Sequence, residues 1–517
     1  MRATRPVSPF VAAALAASLA ATGCSKAIPT QQDLPPSSAT TADAGAGGWR
    51  MIVLSSPAQL TVPPPAATGS DAYQSELAAI KSSQAALSDA QRQNIDYWAA
   101  GGTLRWNEIL RELVARADLP PAPRGDGTYP VPDSENPFAD PQFPFGNPPY
   151  AARAYSYVSL AQFEALKVAW YYKYQYNRPA PSRVDTGVQA LSSAADLPAY
   201  PSEDAVLSGV SAELLKLLFP TSVTEITEKA ASQREAALLS GRATASDIAA
   251  GLALGKAVAP LFSARAAADG MKNAGGSPAL VQALASAAAA RGEKPWKSLE
   301  TPPRPPMLPL FGQVRAWMMT PTDVVNERPA APPSTSSAQM QQELAEVKST
   351  VENLTRDQLA IAYKWADGVS TPTPPGHWNA IATDYLRDAH FSEVRTARAF
   401  ALLNMALHDA AVGCWDAKYT YFNPRPSQLD PSIKTVLGLP NFPSYTSGHS
   451  TFSAAAAVVL SHLFPTGASA FEAMRDEAAI SRLYGGIHYR SDIEVGKQHG
   501  ARIGGYTVAF ARSDGAE

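Results

Sequence analysis

Apolar residues recur along this chain mostly at helical spacing, in Ala- and Leu-rich segments, and no run alternates convincingly as a strand would. The pattern predicts an all-α protein. Residues 11–21 form a short apolar run behind the basic Arg2 and Arg5, too short to span a bilayer as a mature helix. No other stretch approaches ~18 consecutive apolar residues, so no transmembrane helix is expected. Residues 25–75 are rich in Ala, Pro, Ser and Thr and read as a flexible tether. Residues 119–150 are Pro-dense and read as an ordered irregular loop. Residues 296–338 carry a further proline cluster and read as an interdomain linker.

The pattern repeats. Leu87, Ser88 and Gln91 recur as Leu354, Thr355 and Gln358, both in capping-box form. Trp98 and Ala99 echo Trp365 and Ala366, and Trp106 and Asn107 echo Trp378 and Asn379. Lys173, Arg178 and Pro179 echo Lys418, Arg425 and Pro426, and Pro201 and Ser202 echo Pro443 and Ser444. Leu218 to Pro220 echo Leu463 to Pro465, and Asp247 echoes Asp492. Matches in one order at nearly constant offset predict a duplicated helical unit. A non-catalytic half is expected over 76–295 and a catalytic half over 339–517. Counting back from Asp247 puts Ala243 opposite His488 and Ala237 opposite Arg482, so only the second half carries the ionisable groups.

At 517 residues, 45% apolar and 17% charged, the chain is an ordinary globular sequence with a large core. A net charge of −3 gives no reason to expect nucleic acid. The apolar run ends in Ala21, Thr22 and Gly23 before Cys24, which resembles a bacterial lipoprotein processing site. The resemblance implies a signal peptide over 1–23, lipidation of Cys24 and a lipid anchor as the only membrane contact; an ordinary secretory signal is the alternative. Either exports the protein to the cell envelope, and Ser25 favours the outer membrane. With Cys24 lipidated, Cys414 has no disulfide partner.

All seven histidines lie in the second half. Three stretches there hold the candidate chemistry. Lys418 and Arg425 stand seven apart, and Pro424 and Pro426 place Arg425 on a loop just past a helix, where a guanidinium can fork onto an oxyanion. Ser447, Gly448 and His449 open an Ala-rich helix, whose free N–H groups suit an anion and whose histidine suits acid–base work. Arg482, His488 and Asp492 follow; four residues separate His488 from Asp492, predicting one helix face on which the carboxylate orients the ring. His408 and Asp409 read as a packing pair rather than a further acid–base pair. His377, His390, His462 and His499 read as structural, and Tyr419, Tyr421, Phe422, Tyr484 and Tyr489 as pocket wall.

These motifs in this order resemble the superfamily of type 2 phosphatidic acid phosphatases, bacterial class A acid phosphatases and vanadium-dependent haloperoxidases, over about residues 398–508. The segments around Trp415, Phe442 to Ser453 and Tyr484 to Asp492 are most similar to the soluble haloperoxidase-like branch. Thr446 departs from the family's usual proline. The resemblance implies a helical bundle with two related halves. It implies that Lys418, Arg425, Ser447, Gly448 and Arg482 hold phosphate or vanadate. His488 is then the nucleophile or the vanadium ligand, His449 the acid–base residue, and Asp492 the group orienting His488. Two reactions stay open on the same residues. One is peroxide-driven halide oxidation with vanadate as cofactor. The other is phosphomonoester hydrolysis through a phospho-His488 intermediate with no cofactor. A catalytically idle anion-binding scaffold of the envelope is the reading of another class. Oligomeric state stays open.

Overall fold

The computed structural model describes residues 34–119, 123–128, 148–192 and 197–517. Cys24, the leader before it and most of the 119–150 loop lie outside these residues. The described residues form α-helices, short 3-10 turns and connecting segments, with no strand among them. The first copy runs α1 (Asp71–Ala85), α2 (Asp89–Ala99), α3 (Gly102–Ala117), α4 (Pro148–Tyr176), α5 (Pro181–Val184), α6 (Glu203–Leu218), α7 (Val223–Leu239), α8 (Ala245–Ala267) and α9 (Pro278–Ala290). The short α10 (Pro321–Glu327) precedes the second: α11 (Ala338–Glu352), α12 (Arg356–Lys364), α13 (Thr373–Ala389), α14 (Glu393–Tyr421), α15 (Pro426–Leu429), α16 (Gly448–Leu463), α17 (Ala468–Tyr484) and α18 (Arg490–Ala511).

The expected capping boxes are present at Ser88 with Gln91 and at Thr355 with Gln358, each satisfying N–H groups at the helix start. From α4 onward the two copies are displaced by a constant 245 residues: α4 pairs with α14, α6 with α16, α7 with α17 and α8 with α18. Side-chain anchors repeat at the same displacement. Arg153 Nε meets Asp269 at 2.7 Å, and Arg398 Nε meets Asp514 at 2.7 Å. Tyr73, Leu77, Ile80 and Val188 form one satellite apolar cluster; Met340, Leu344, Val347 and Ile433 anchor its counterpart.

The constant displacement corrects two pairings. Ser202 caps α6 as Ser447 caps α16, and Ser202 N donates to Asp247 O as Ser447 N donates to Asp492 O, both at 3.0 Å. Ser202 therefore matches Ser447, not Ser444; a local Pro-Ser resemblance had pulled the register by three. Likewise Ala199 N donates to Arg178 O as Ser444 N donates to Asn423 O. Arg178 matches Asn423, and the position of Arg425 is held by Ala180.

The tether and the linker are also corrected. Residues 44–62 lie along α4, with Trp49, Leu54 and Val62 buried, and the Glu164 carboxylate accepts the backbone N–H groups of Ile52, Val53 and Leu54. Residues 307–330 lie along α14 in the same way: Asp409, 245 beyond Glu164, accepts from Trp317 and Met318, both at 2.7 Å. Each strap crosses its helix at a glycine. A Cβ on Gly47 would stand 2.6 Å from Tyr171 Cα, and one on Gly312 would stand 2.5 Å from Asp416 Cα. Proline and small residues make the first strap read as a flexible tether and the second as an interdomain linker, yet each is a duplicated part of the fold. The proposed boundaries do not separate cores either. One apolar cluster takes Leu160, Phe163 and Trp170 from α4 together with Leu402, Met405 and Trp415 from α14.

Candidate active site

Lys418 closes α14, and Phe422 turns the chain in a left-handed conformation (φ 54°). Arg425 then stands at the N-cap of α15, past the helix as the flanking prolines predicted. Its guanidinium is fully buried. Nε donates to Phe442 O at 3.0 Å, and Nη1 donates to Ile487 O and to His488 Nε2, both at 2.9 Å.

A ring nitrogen that accepts from arginine carries no proton, so the proton of His488 sits on Nδ1. That atom faces Asp492 Oδ2 at 2.8 Å. Burial, then Arg425, Lys418 and Arg482, push the His488 pKa well down, so the contact is a hydrogen bond from a neutral ring rather than an ion pair. Ser444 Oγ donates to the same Asp492 oxygen at 2.5 Å and Tyr489 N at 3.2 Å. Burial raises Asp492 to about 6 against these donors and the two cations. The expectation of one helix face needs correction. α18 begins at Arg490, His488 lies before it, and Asp492 is the third helical residue, reaching back as a cap does.

Arg482, in the last turn of α17, donates Nη1 to Trp365 O at 2.7 Å. Burial lowers Arg425 to about 9 and Arg482 to about 10, and each pushes on the His488 ring. Arg425 Nη2 and Arg482 Nε are buried with no hydrogen-bond partner among the described residues. Buried charged donors left open are costly unless an acceptor arrives. In front of α16 the space is clear: a Cβ on Gly448 would meet only Phe452 Cε2, at 3.7 Å. Ser447 caps that helix, and its first N–H groups add a positive end. The donor set fits a compact oxyanion.

Lys418 differs from expectation. Nζ donates to Pro443 O at 2.9 Å, Ser444 O at 2.8 Å and Thr446 O at 2.6 Å. All three protons are engaged, so Lys418 shapes the 443–446 loop and reaches an anion as charge rather than by direct contact. Burial lowers it to about 7. The aromatic faces at the cations are Phe442, 5.0 Å from both Lys418 Nζ and Arg425 Cζ, and Trp415, packed against Phe442. Tyr419, Tyr421 and Phe422 instead hold the strap through Met307 O, Pro329 O and Trp296, and Tyr489 sits in a satellite core. Tyr484 is half-buried at the end of α17. His408 packs between Phe311 and Trp317, as expected of a structural residue.

Asp367 was missed. It lies on the 365–373 loop, where Asp367, Ser370 and Thr373 all take positive φ. Its Oδ2 stands 3.3 Å from His449 Nε2 and its Oδ1 3.1 Å from His377 Nδ1. His377, expected to be structural, stacks on Trp365 with ring centroids 4.2 Å apart. Burial would raise the Asp367 pKa, but the two imidazoles outweigh it and hold the carboxyl well below its usual range. His449 is lowered to about 4 by burial and Arg482, against the pull of Asp367. No motif marks Asp367, because it comes from a loop distant in sequence from the helix it serves.

Residues 398–513 match the PAP2 superfamily. The matched stretch carries Lys418, Arg425, Ser447, Gly448, His449, Arg482, His488 and Asp492. No curated protein sequence matches the chain. The whole fold is similar to a crystal structure described as the first bacterial vanadium-dependent iodoperoxidase. That likeness has a TM-score of 0.58 and 23% identity, over 78% of this chain and 95% of that one. It is also similar to holo-type bacterial vanadium-dependent chloroperoxidase (TM-score 0.51, 15% identity, 74% and 96% covered). The apo-type chloroperoxidase gives 0.50 at 14% identity, with 70% and 93% covered. The stretch matched by the PAP2 model thus sits in a two-copy helical fold similar to those of these solved structures.

Proposed function

We propose that this protein is a vanadate-dependent haloperoxidase that oxidises halide with peroxide in the pocket around His488. The observation carrying the proposal is the neutral His488, its Nδ1 fixed by Asp492 and its Nε2 turned toward cations whose remaining donors are open. Arg425 and Arg482 would hold vanadate oxygens, the N–H groups behind Ser447 and Gly448 would add to them, Lys418 would supply charge, and His488 Nε2 would be the ligand to the metal. Vanadate, when bound, supplies a Lewis acid that activates peroxide.

His449 favours this reading over hydrolysis. Within the protein's own charges it is neutral near pH 7, so it is ready to accept a proton from peroxide on the nitrogen turned away from Asp367. Asp367 then stabilises the imidazolium. Phosphomonoester hydrolysis is the second reading, because the same Nε2 can attack phosphorus to give phospho-His488. It needs a protonated His449 for the leaving alcohol, which the low pKa supplies only in acid.

Two assays on the purified protein decide. Bromination or iodination of a dye with vanadate and peroxide is expected, and hydrolysis of p-nitrophenyl phosphate without vanadate is expected to be slight. Hydrolysis alone would overturn the proposal in favour of a phosphatase; neither activity in the folded protein would leave an idle scaffold. We further propose export and lipidation at Cys24. Mass spectrometry finding an unmodified residue 24 in membrane-associated protein would refute that.

A further inference from the structure

At the place in the first copy that matches the site, a buried lysine and a partly buried arginine stand among carboxylates. Lys173 matches Lys418, and its Nζ donates to Pro198 O as Lys418 donates to Pro443 O, 245 residues on. Ser202 and Asp247 match Ser447 and Asp492. The residue matching Gly448 is Glu203, and the residue matching His449 is Asp204. Glu203 Oε2 meets Lys173 Nζ at 2.7 Å, and Glu203 Oε1 meets Arg242 Nη2 at 2.7 Å. Asp204 Oδ2 lies 3.3 Å from the same Arg242 atom. Lys173 is fully buried, and Glu203 and Asp204 nearly so.

We propose that the first copy holds an anion cradle built from Lys173, the counterpart of Lys418, from Arg242, which has no cationic counterpart in the second copy, and from the start of α6, and that the Glu203 carboxylate is its permanent occupant. Three observations support this. The side chain replaces the glycine that keeps the equivalent space clear in the second copy. Its two oxygens bridge the buried Lys173 and the partly buried Arg242, as a bound oxyanion would. It also stands at the first position of a helix, where a negative charge meets free N–H groups. The equivalents of Arg425, Arg482 and His488 are Ala180, Ala237 and Ala243. No histidine remains to attack phosphorus or to ligate vanadium, so the cradle binds without that chemistry. Its ligand class is a carboxylate or a small tetrahedral oxyanion. The proposal does not rest on which reaction the second copy performs.

The test uses the full chain carrying Arg425→Ala, which weakens anion binding in the second copy, with Glu203→Gln or Glu203→Ala added. Glu203→Gln keeps the volume and removes the charge; its Tm should fall by roughly 5 °C. Glu203→Ala opens the space; formate or inorganic phosphate should raise its Tm saturably, while the Arg425→Ala parent shifts much less. A Gln variant as stable as its parent would overturn the proposal. So would a folded Ala variant whose anion response equals the parent's. If the Ala variant does not fold, the Gln variant decides alone.

Discussion

Asn107 and Asn379 hydrogen-bond to each other at 2.7 Å, side chain to side chain, across 272 residues of sequence. They are the matching residues of α3 and α13, so the contact joins like to like at the middle of the molecule. Asn379 also donates to Asn404 Oδ1 at 2.7 Å, and Asn404 donates to Ser159 Oγ at 2.9 Å; Ser159 and Asn404 are themselves a matching pair. All four are buried. The duplicated halves therefore meet through a closed polar network inside a shared apolar core.

Asn379→Ala should leave partners in this network without bonds. Each buried orphan costs about 1–3 kcal/mol, so a loss of several kcal/mol is expected. Urea denaturation should show one transition at lower midpoint, because the halves share a core. Two separated transitions would contradict the shared core.

Arg425→Ala should weaken vanadate binding by at least about 100-fold, since it removes a buried charged donor. Titration calorimetry with vanadate or phosphate reads this directly. Affinity within about threefold of the parent would remove Arg425 from the anion site.

Lys418→Met should act through the loop. Three buried carbonyls lose their donor, so destabilisation of about 3 kcal/mol is expected together with weaker anion binding. A variant that loses affinity with unchanged stability would mean that Lys418 contacts the anion itself.

Asp367→Asn bears on the proton. The carboxylate raises the His449 pKa, so its removal lowers that pKa below about 4. The acid limb of the halide oxidation profile should move to lower pH, and the rate should fall about 10–100-fold as the ring loses its orienting partner. An unmoved limb would detach Asp367 from His449.

Asp118 gives a stability test. Burial raises its pKa to about 8, from 3.8. A carboxyl with a raised folded pKa contributes its full stability below pH 3.8, and that contribution is lost as pH rises through 8. Asp118→Asn should therefore be more stable than the parent at pH 9, by about 2 kcal/mol, with the difference vanishing below pH 4. A difference that grows toward acid would have the wrong sign.

The sequence carried the duplicated architecture and the ionisable set because both depend on residue identity at fixed spacing. Lys418, Arg425, Ser447, Gly448, Arg482, His488 and Asp492 surround one buried region, with His449 at its edge. Three things escaped. Asp367 reaches His449 through tertiary folding from a loop whose backbone conformation no pattern announces. The contact between His488 and Asp492 was foreseen for a geometric reason that does not hold, since the ring precedes the helix. The straps read as a tether and a linker because proline and alanine dominate them; their order comes from a few anchors, Trp49, Leu54 and the carboxylates of Glu164 and Asp409, each meaningful only against a helix far along the chain.

The strap along α4 has a consequence for where the protein can work. Leu34 is already buried, and Asp43 is clamped by Arg395 at 2.5 Å. If Cys24 carries a lipid, only ten residues of leash precede Leu34, a reach of at most about 35 Å when fully extended. The folded body would then ride close against the bilayer, and anything it binds would be drawn from the thin layer of solvent at the membrane face.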